Sequence, residues 1–156
     1  MPRPVDAIAQ RGCLPAAEVG QPATTLGPGD DPAQAGVGVI PWSPLSSGLL
    51  GGVLGDSERS RRQSAQSLKR IDKLRPKLEQ WEKLCADLGE EPAAVALAWL
   101  LAQDGVTCPI IGPRTLGQLD GASLRSLELT LTPDTLGAID AVFPGPGGTA
   151  PEAYAW

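Results

Sequence analysis

Residues 37–52 read VGVIPWSPLSSGLLGG, and the fold of the chain turns on them. Val37 to Ile40 is a short apolar, β-branched run that predicts a buried strand, and Pro41 closes it. Trp42, a Ser43-Pro44 pair and a loop follow, which together hold three serines (43, 46, 47) and three glycines (48, 51, 52). A strand that ends in small, hydroxyl-bearing and glycine residues suits close backbone approach to a phosphate. An ordinary strand-to-helix connection has the same composition, so this stretch alone leaves both readings open. The connection over 43–62 is longer than a compact domain tolerates without a purpose, and covering a ligand is such a purpose.

Downstream the period changes. Leu68, Ile71, Leu74, Leu78, Trp81, Cys85 and Leu88 recur at steps of three and four, which predicts a long amphipathic helix with Lys, Arg and Glu on its solvent face. Pro76 inside it predicts a kink or a split, and Gly89 is placed as a C-cap. Trp81 reads as core packing. Glu90-Glu91-Pro92 opens the next helix, and Ala93 to Gln103, apolar on most sides, is expected to be the most buried. Asp104-Gly105 ends that helix, and Val106 to Ile111 is a second short strand. The turn Gly112-Pro113-Arg114-Thr115 leads to a helix over 116–127, and Thr132-Pro133-Asp134 caps a last one ending at Val142. Alternating β and α elements imply a parallel sheet. Pro22, Pro28, Pro32, Gly27 and Gly29 oppose regular structure in residues 1–36, which read as a poorly ordered segment or insertion. Residues 144–156 read as a loop-like tail.

The 156 residues hold one ordinary domain, with 42% hydrophobic residues and with Gly (19) and Pro (16) both high. A net charge of −5 argues against nucleic acid or an anionic membrane as partner, and the short Arg59–Arg62 cluster reads as solvated loop. No run reaches membrane-spanning length, and the first residues lack the apolar segment of a secretory signal. Cys13, Cys85 and Cys108, widely spaced, suit a reducing compartment, so a cytoplasmic protein with no metal site is expected. The chain has no histidine, which removes every Ser-His, Cys-His and His-metal mechanism from its own residues.

The residues of 37–52, EEPAAVALAWLLAQ (90–103), IIGPRTLGQL (110–119) and the closing PEAYAW resemble the aldo-keto reductase family over about residues 36–156. The resemblance implies a partial (β/α)8 barrel over 37–143, equivalent to its last two βα units plus C-terminal helices. It also implies a bound nicotinamide cofactor, NADP(H). Trp42 matches the residue that stacks on the nicotinamide, and Ser43, Leu45, Ser47, Gly48 and Leu49 match the loop that wraps the pyrophosphate. Gly112, Arg114, Thr115 and Gln118 match the adenosine-phosphate segment, with Arg114 set against the 2′-phosphate and Gln118 reaching the adenine. Without the family, a helix-capping Thr115 beside a surface arginine explains the same residues. The two segments stand in the family's order, about seventy residues apart.

Two departures accompany the resemblance. At Gly121 and Ala122 the family has an acid and an asparagine that hold the adenine amino group, so weaker adenine binding is expected. The family's Asp, Tyr, Lys and His catalytic set belongs to the first half of its barrel. Here the one tyrosine is Tyr154, and Lys69, Lys73, Lys77 and Lys83 fall on the solvent face of the long helix. No catalytic residue is therefore assigned. The chain is expected to carry the NADP-binding half of a reductase and to depend on self-association or on a separate N-terminal half-barrel. A non-catalytic nucleotide-binding or regulatory module, or a decayed gene product, are the other readings.

Overall fold

The computed structural model describes residues 40–55, 65–103 and 106–144. The expectations for residues 1–36, most of the first strand, the basic cluster at 59–62, the Asp104-Gly105 stop and the tail with Tyr154 lie outside these residues. The described structure is mostly helical: α1 (Ala65–Leu88), α2 (Pro92–Leu101), α3 (Leu116–Gln118), α4 (Arg125–Glu128) and α5 (Pro133–Val142). A 3-10 turn at Leu49–Gly51 precedes α1, and a π-helical stretch, Leu119–Leu124, joins α3 to α4.

α1 forms where the three-four period predicts it. Ile71, Leu78, Trp81 and Cys85 are buried, while Leu68 and Leu88, at the two ends of the stripe, are exposed. A helix of 24 residues is about 36 Å long and outruns the core it packs on. Pro76 does not split it. Both Pro76 and Asp72, whose carbonyl loses its i+4 donor to the proline, lie on the exposed side. The stop at Gly89 is a full Schellman motif. Gly89 takes a left-handed φ of 71°, its N–H donates to Ala86 O (3.0 Å), and Glu90 N–H donates to Cys85 O (3.1 Å).

α2 is the centre of the core, with Ala94 through Leu100 all buried. Around it gather Leu50, Trp81, Cys85, Ile139 and Phe143, with the Trp81 and Phe143 rings edge to face at 6.0 Å. A second cluster unites Leu49 and Val53 with Ile71 and Leu78 of α1. Burial pushes the Cys85 thiol up to about 12, with nearby Glu82 adding to the shift. In α5, Thr132 Oγ1 accepts the N–H of Thr135 (3.2 Å) and Pro133 fills the first turn, as its sequence predicts.

Among the described residues, 106–111 do not form the expected strand, and the β structure amounts to isolated bridging. Trp42 and Ile110 form an isolated parallel bridge, with Ile110 N–H donating to Pro41 O at 2.8 Å. The ladder has little room to extend. Pro41 and Pro109 have no N–H to donate, and Ser43 leaves the extended region with φ 53°. Ile40, Trp42, Ile110 and Ile111, the apolar side chains about the bridge, are all exposed. The segment over 116–128 is helical as expected, but its middle widens to a π-helix.

Candidate functional site

Parallel pairing at Trp42–Ile110 sends the two chain segments out of the bridge in the same direction. One continues into the Ser43–Gly52 loop and the other, two residues on, into the Gly112–Gln118 turn. The bridge thus sets the two predicted binding segments at one end of the molecule.

The first loop is folded on itself and strained. Ser43, Ser46 and Ser47 all have positive φ (53°, 50° and 57°), a conformation that costs a non-glycine residue roughly 1 kcal/mol or more. Its own carbonyls absorb much of its donor capacity. Ser46 N–H donates to Ser43 O (2.9 Å), Gly48 N–H to Leu45 O (2.9 Å) and Gly51 N–H to Gly48 O (3.0 Å), while Ser47 N–H donates to Ser43 Oγ (3.3 Å). Anchors from the core over-determine the rest. Leu49 and Leu50 are buried in the two clusters, Leu45 packs partly against one, and the Trp81 indole N–H donates to Leu50 O at 3.3 Å. Glu82 Oε1 accepts Leu54 N–H at 2.8 Å.

What remains outward is a small set. Ser47 and Gly48 are exposed, Trp42 presents 43% of its surface, and Ser43 is half-buried. Leu49 turns its side chain inward, into the second cluster. Sequence periodicity put the glutamates of α1 on the solvent face, and Glu82 departs from this because it caps a loop N–H. No spacing rule marks it. Trp81 is core, as predicted, but its indole N–H also holds the loop, a donor that periodicity does not reveal.

The second segment is held by its own polar groups. Thr115 Oγ1 accepts Gln118 N–H (3.2 Å), and Gln118 Oε1 accepts Arg114 N–H (2.8 Å), a variant of the reciprocal capping box. Gly112, Arg114 and Thr115 are exposed, Gln118 is half-buried, and the Arg114 guanidinium makes no hydrogen bond or ion pair with the described residues. Gln118 therefore has a structural task that its match to an adenine-reaching residue does not mention.

The start of α2 stands against the π-helical stretch and α4, which follow this segment. Arg125 donates to both Glu90 oxygens (2.5 and 3.1 Å) and to Glu128 (3.1 Å). These hydrogen bonds hold the Glu90 carboxyl below the usual carboxylate range. The neighbouring Glu91 is the N-cap residue of α2 but makes no side-chain cap bond. Its two carboxylate oxygens lie 3.5 Å from the point where a β-carbon on Gly121 would stand. Among the described residues, no three His, Cys, Asp or Glu side chains are grouped to hold a metal, and no helix is long and apolar enough to cross a membrane.

Comparison with known proteins gives consistent results. Residues 32–143 match the Aldo/keto reductase family. The chain is 48% identical over 121 residues to the uncharacterized oxidoreductase YrpG of Bacillus subtilis, covering 78% of this chain and 36% of that protein. It is 37% identical over 100 residues to the uncharacterized oxidoreductase Rv2298 of Mycobacterium tuberculosis, covering 59% and 30% of the two chains. To a putative voltage-gated potassium channel subunit beta of Schizosaccharomyces pombe it is 30% identical over 122 residues, covering 69% and 34%. The chain thus spans about a third of the length of the curated relatives it matches. With close to three-quarters of its residues matched, the chain belongs to the aldo/keto reductase family.

Proposed function

We propose that this chain is the NADP(H)-binding half of an aldo/keto reductase, its residues 37–143 standing for the last two βα units of the barrel and the helices that follow. Residues 1–36 and 144–156 lie outside that unit. In this reading Trp42 stacks on the nicotinamide, and Ser43, Leu45, Ser47, Gly48 and the backbone of Leu49 line the pyrophosphate path. Gly112 and Thr115 shape the turn, Arg114 pairs with the 2′-phosphate, and Gln118 sits under the adenine. The observation that supports it best is the parallel bridge, which brings both segments to one end, where ligands of βα barrels bind. The Arg114 guanidinium, without a partner among the described residues, and the strained, tethered serine loop add to it.

The cofactor supplies hydride chemistry when bound, and this chain's residues bind and orient it. In this reading the proton donor for a carbonyl oxygen lies outside residues 37–143, which include no tyrosine and no histidine. A separate N-terminal half-barrel, or a second copy, covers the exposed Ile40, Trp42, Ile110 and Ile111. The likeness to a protein named as a channel β subunit favours a second reading, a nucleotide-binding regulatory module that binds the same cofactor without turnover.

Isothermal titration with NADPH and NADH tests the assignment. The expected result is saturable NADPH binding that Arg114→Ala weakens about tenfold while NADH binding barely changes. Equal losses for both dinucleotides contradict the 2′-phosphate role.

A further inference from the structure

The helical rod formed by α3, the π-helical stretch and α4 exposes what an amphipathic helix normally buries. It packs on α2, and the side chains it buries there are small, Ala122 and Ser126. Its large apolar side chains lie on the other side, with Leu116, Leu124 and Leu127 exposed by 77%, 50% and 70%. Scattered surface leucines are ordinary, but three on one side of a rod whose opposite side holds alanine and serine make an uncovered apolar face. The orientation is fixed, because Arg125 donates to both oxygens of Glu90 and ties the rod to the start of α2. Within the face stands one charge. Asp120 lies four residues after Leu116 and four before Leu124, hence between them on the same side. It is exposed and makes no hydrogen bond or ion pair with the described residues.

We infer that this face is a docking surface for a helix of a partner polypeptide, apolar along its contact side and carrying one lysine or arginine there to meet Asp120. A carboxylate closed into an apolar interface without a cation is costly, whereas a paired one fixes register and partner choice. A second copy of this chain fits badly. Two-fold pairing of the Leu116–Leu127 face with itself brings the two Asp120 carboxylates within about one helical turn of each other. An anionic lipid surface is opposed by the same carboxylate and by the net charge of −5. In the matched relatives about two-thirds of the length lies beyond the stretch shared with this chain, which is polypeptide enough to supply such a helix. The inference does not depend on the cofactor reading.

The chemistry inferred for the partner can be built into the chain itself. Asp120→Arg presents the same leucines about an arginine, and sedimentation equilibrium then compares the parent chain, this variant and their mixture. Residues 120 and 124 are both exposed, so their substitution leaves the fold in place, and melting curves check that it does. Parent and variant are each expected to pair weakly through this face, and the mixture at least about tenfold more tightly, with Leu124→Ser in the parent removing that gain. A mixture that associates no better than its components, or a gain that survives Leu124→Ser, overturns the inference. Parent self-association as tight as that of the mixture and abolished by Leu124→Ser makes a second copy the occupant, and overturns it as well.

Discussion

The two segments that leave the Trp42–Ile110 bridge are built in opposite ways. The Ser43–Gly52 loop is strained in its backbone and is tied from behind by Leu49, Leu50, Trp81 and Glu82. The Gly112–Gln118 turn is exposed and held by a local cap between Thr115, Gln118 and the Arg114 backbone. The first spends core packing to fix a backbone shape. The second keeps its backbone cheap and presents side chains, Arg114 above all. A dinucleotide asks for both, since a pyrophosphate is bound largely by backbone and loop shape, whereas a 2′-phosphate and a base are distinguished by side chains.

Breaking the tethers behind the first loop tests that contrast most severely. Trp81→Ala removes a fully buried ring and the donor to Leu50 O, and is expected to cost about 3–5 kcal/mol in denaturant unfolding. Truncating a side chain of the second segment, Leu116→Ala, at a residue 77% exposed, should move stability by no more than about 0.5 kcal/mol. Similar losses from the two would erase the distinction.

A finer cut is Glu82→Ala, which leaves the half-buried Leu54 N–H without its acceptor and is expected to cost about 1–2 kcal/mol. Glu82→Gln keeps a carbonyl acceptor and should restore most of that stability. Nucleotide binding should follow the same order, weaker in the alanine variant and largely recovered in the glutamine variant. In the second segment, Thr115→Ala removes the cap and should cost about 1 kcal/mol, read as faster amide exchange confined to residues 114–119.

The smallest effect concerns the pair that holds α2 to α4. The Glu90 carboxyl is held below its ordinary value by Arg125, so its contribution to stability is present above the unfolded pKa of about 4.3 and is lost as pH falls through the lower folded value. The melting temperature of the parent chain should therefore fall more steeply below about pH 4.3 than that of Glu90→Gln. Parallel pH profiles would show that the pair is energetically silent, as exposed ion pairs often are.

Much of this arrangement was legible in the sequence. The stripe from Ile71 to Cys85 and the glycine after Leu88 gave α1 and its stop, the apolar run after Pro92 gave the central helix, and Thr132-Pro133 gave the last cap. These features depend on local periodicity and capping, which neighbouring residues report. The β pairing was less legible, because it is non-local, and among the described residues Pro41, Pro109 and the left-handed Ser43 flank a single named bridge. The π-helical widening at Leu119–Leu124 is likewise hidden, since its residues look like one turn of an ordinary helix. Within the candidate site, the family resemblance pointed to Trp42, Arg114 and Gln118. The supporting acts of Trp81 and Glu82 depend on contacts across 28 to 31 residues, as at Glu82–Leu54 and Trp81–Leu50. No pattern within a single segment carries that information.

The central claim is that the strained loop and the capped turn together bind a nicotinamide dinucleotide. Its most direct test is titration of the chain with NADPH followed by tryptophan fluorescence, alongside Trp42→Phe and a thermal melt. The account predicts saturable quenching, a large part of it lost in Trp42→Phe while binding persists by calorimetry, and a melting temperature that rises with ligand. Quenching unchanged by Trp42→Phe, or a melting temperature indifferent to NADPH, would contradict it.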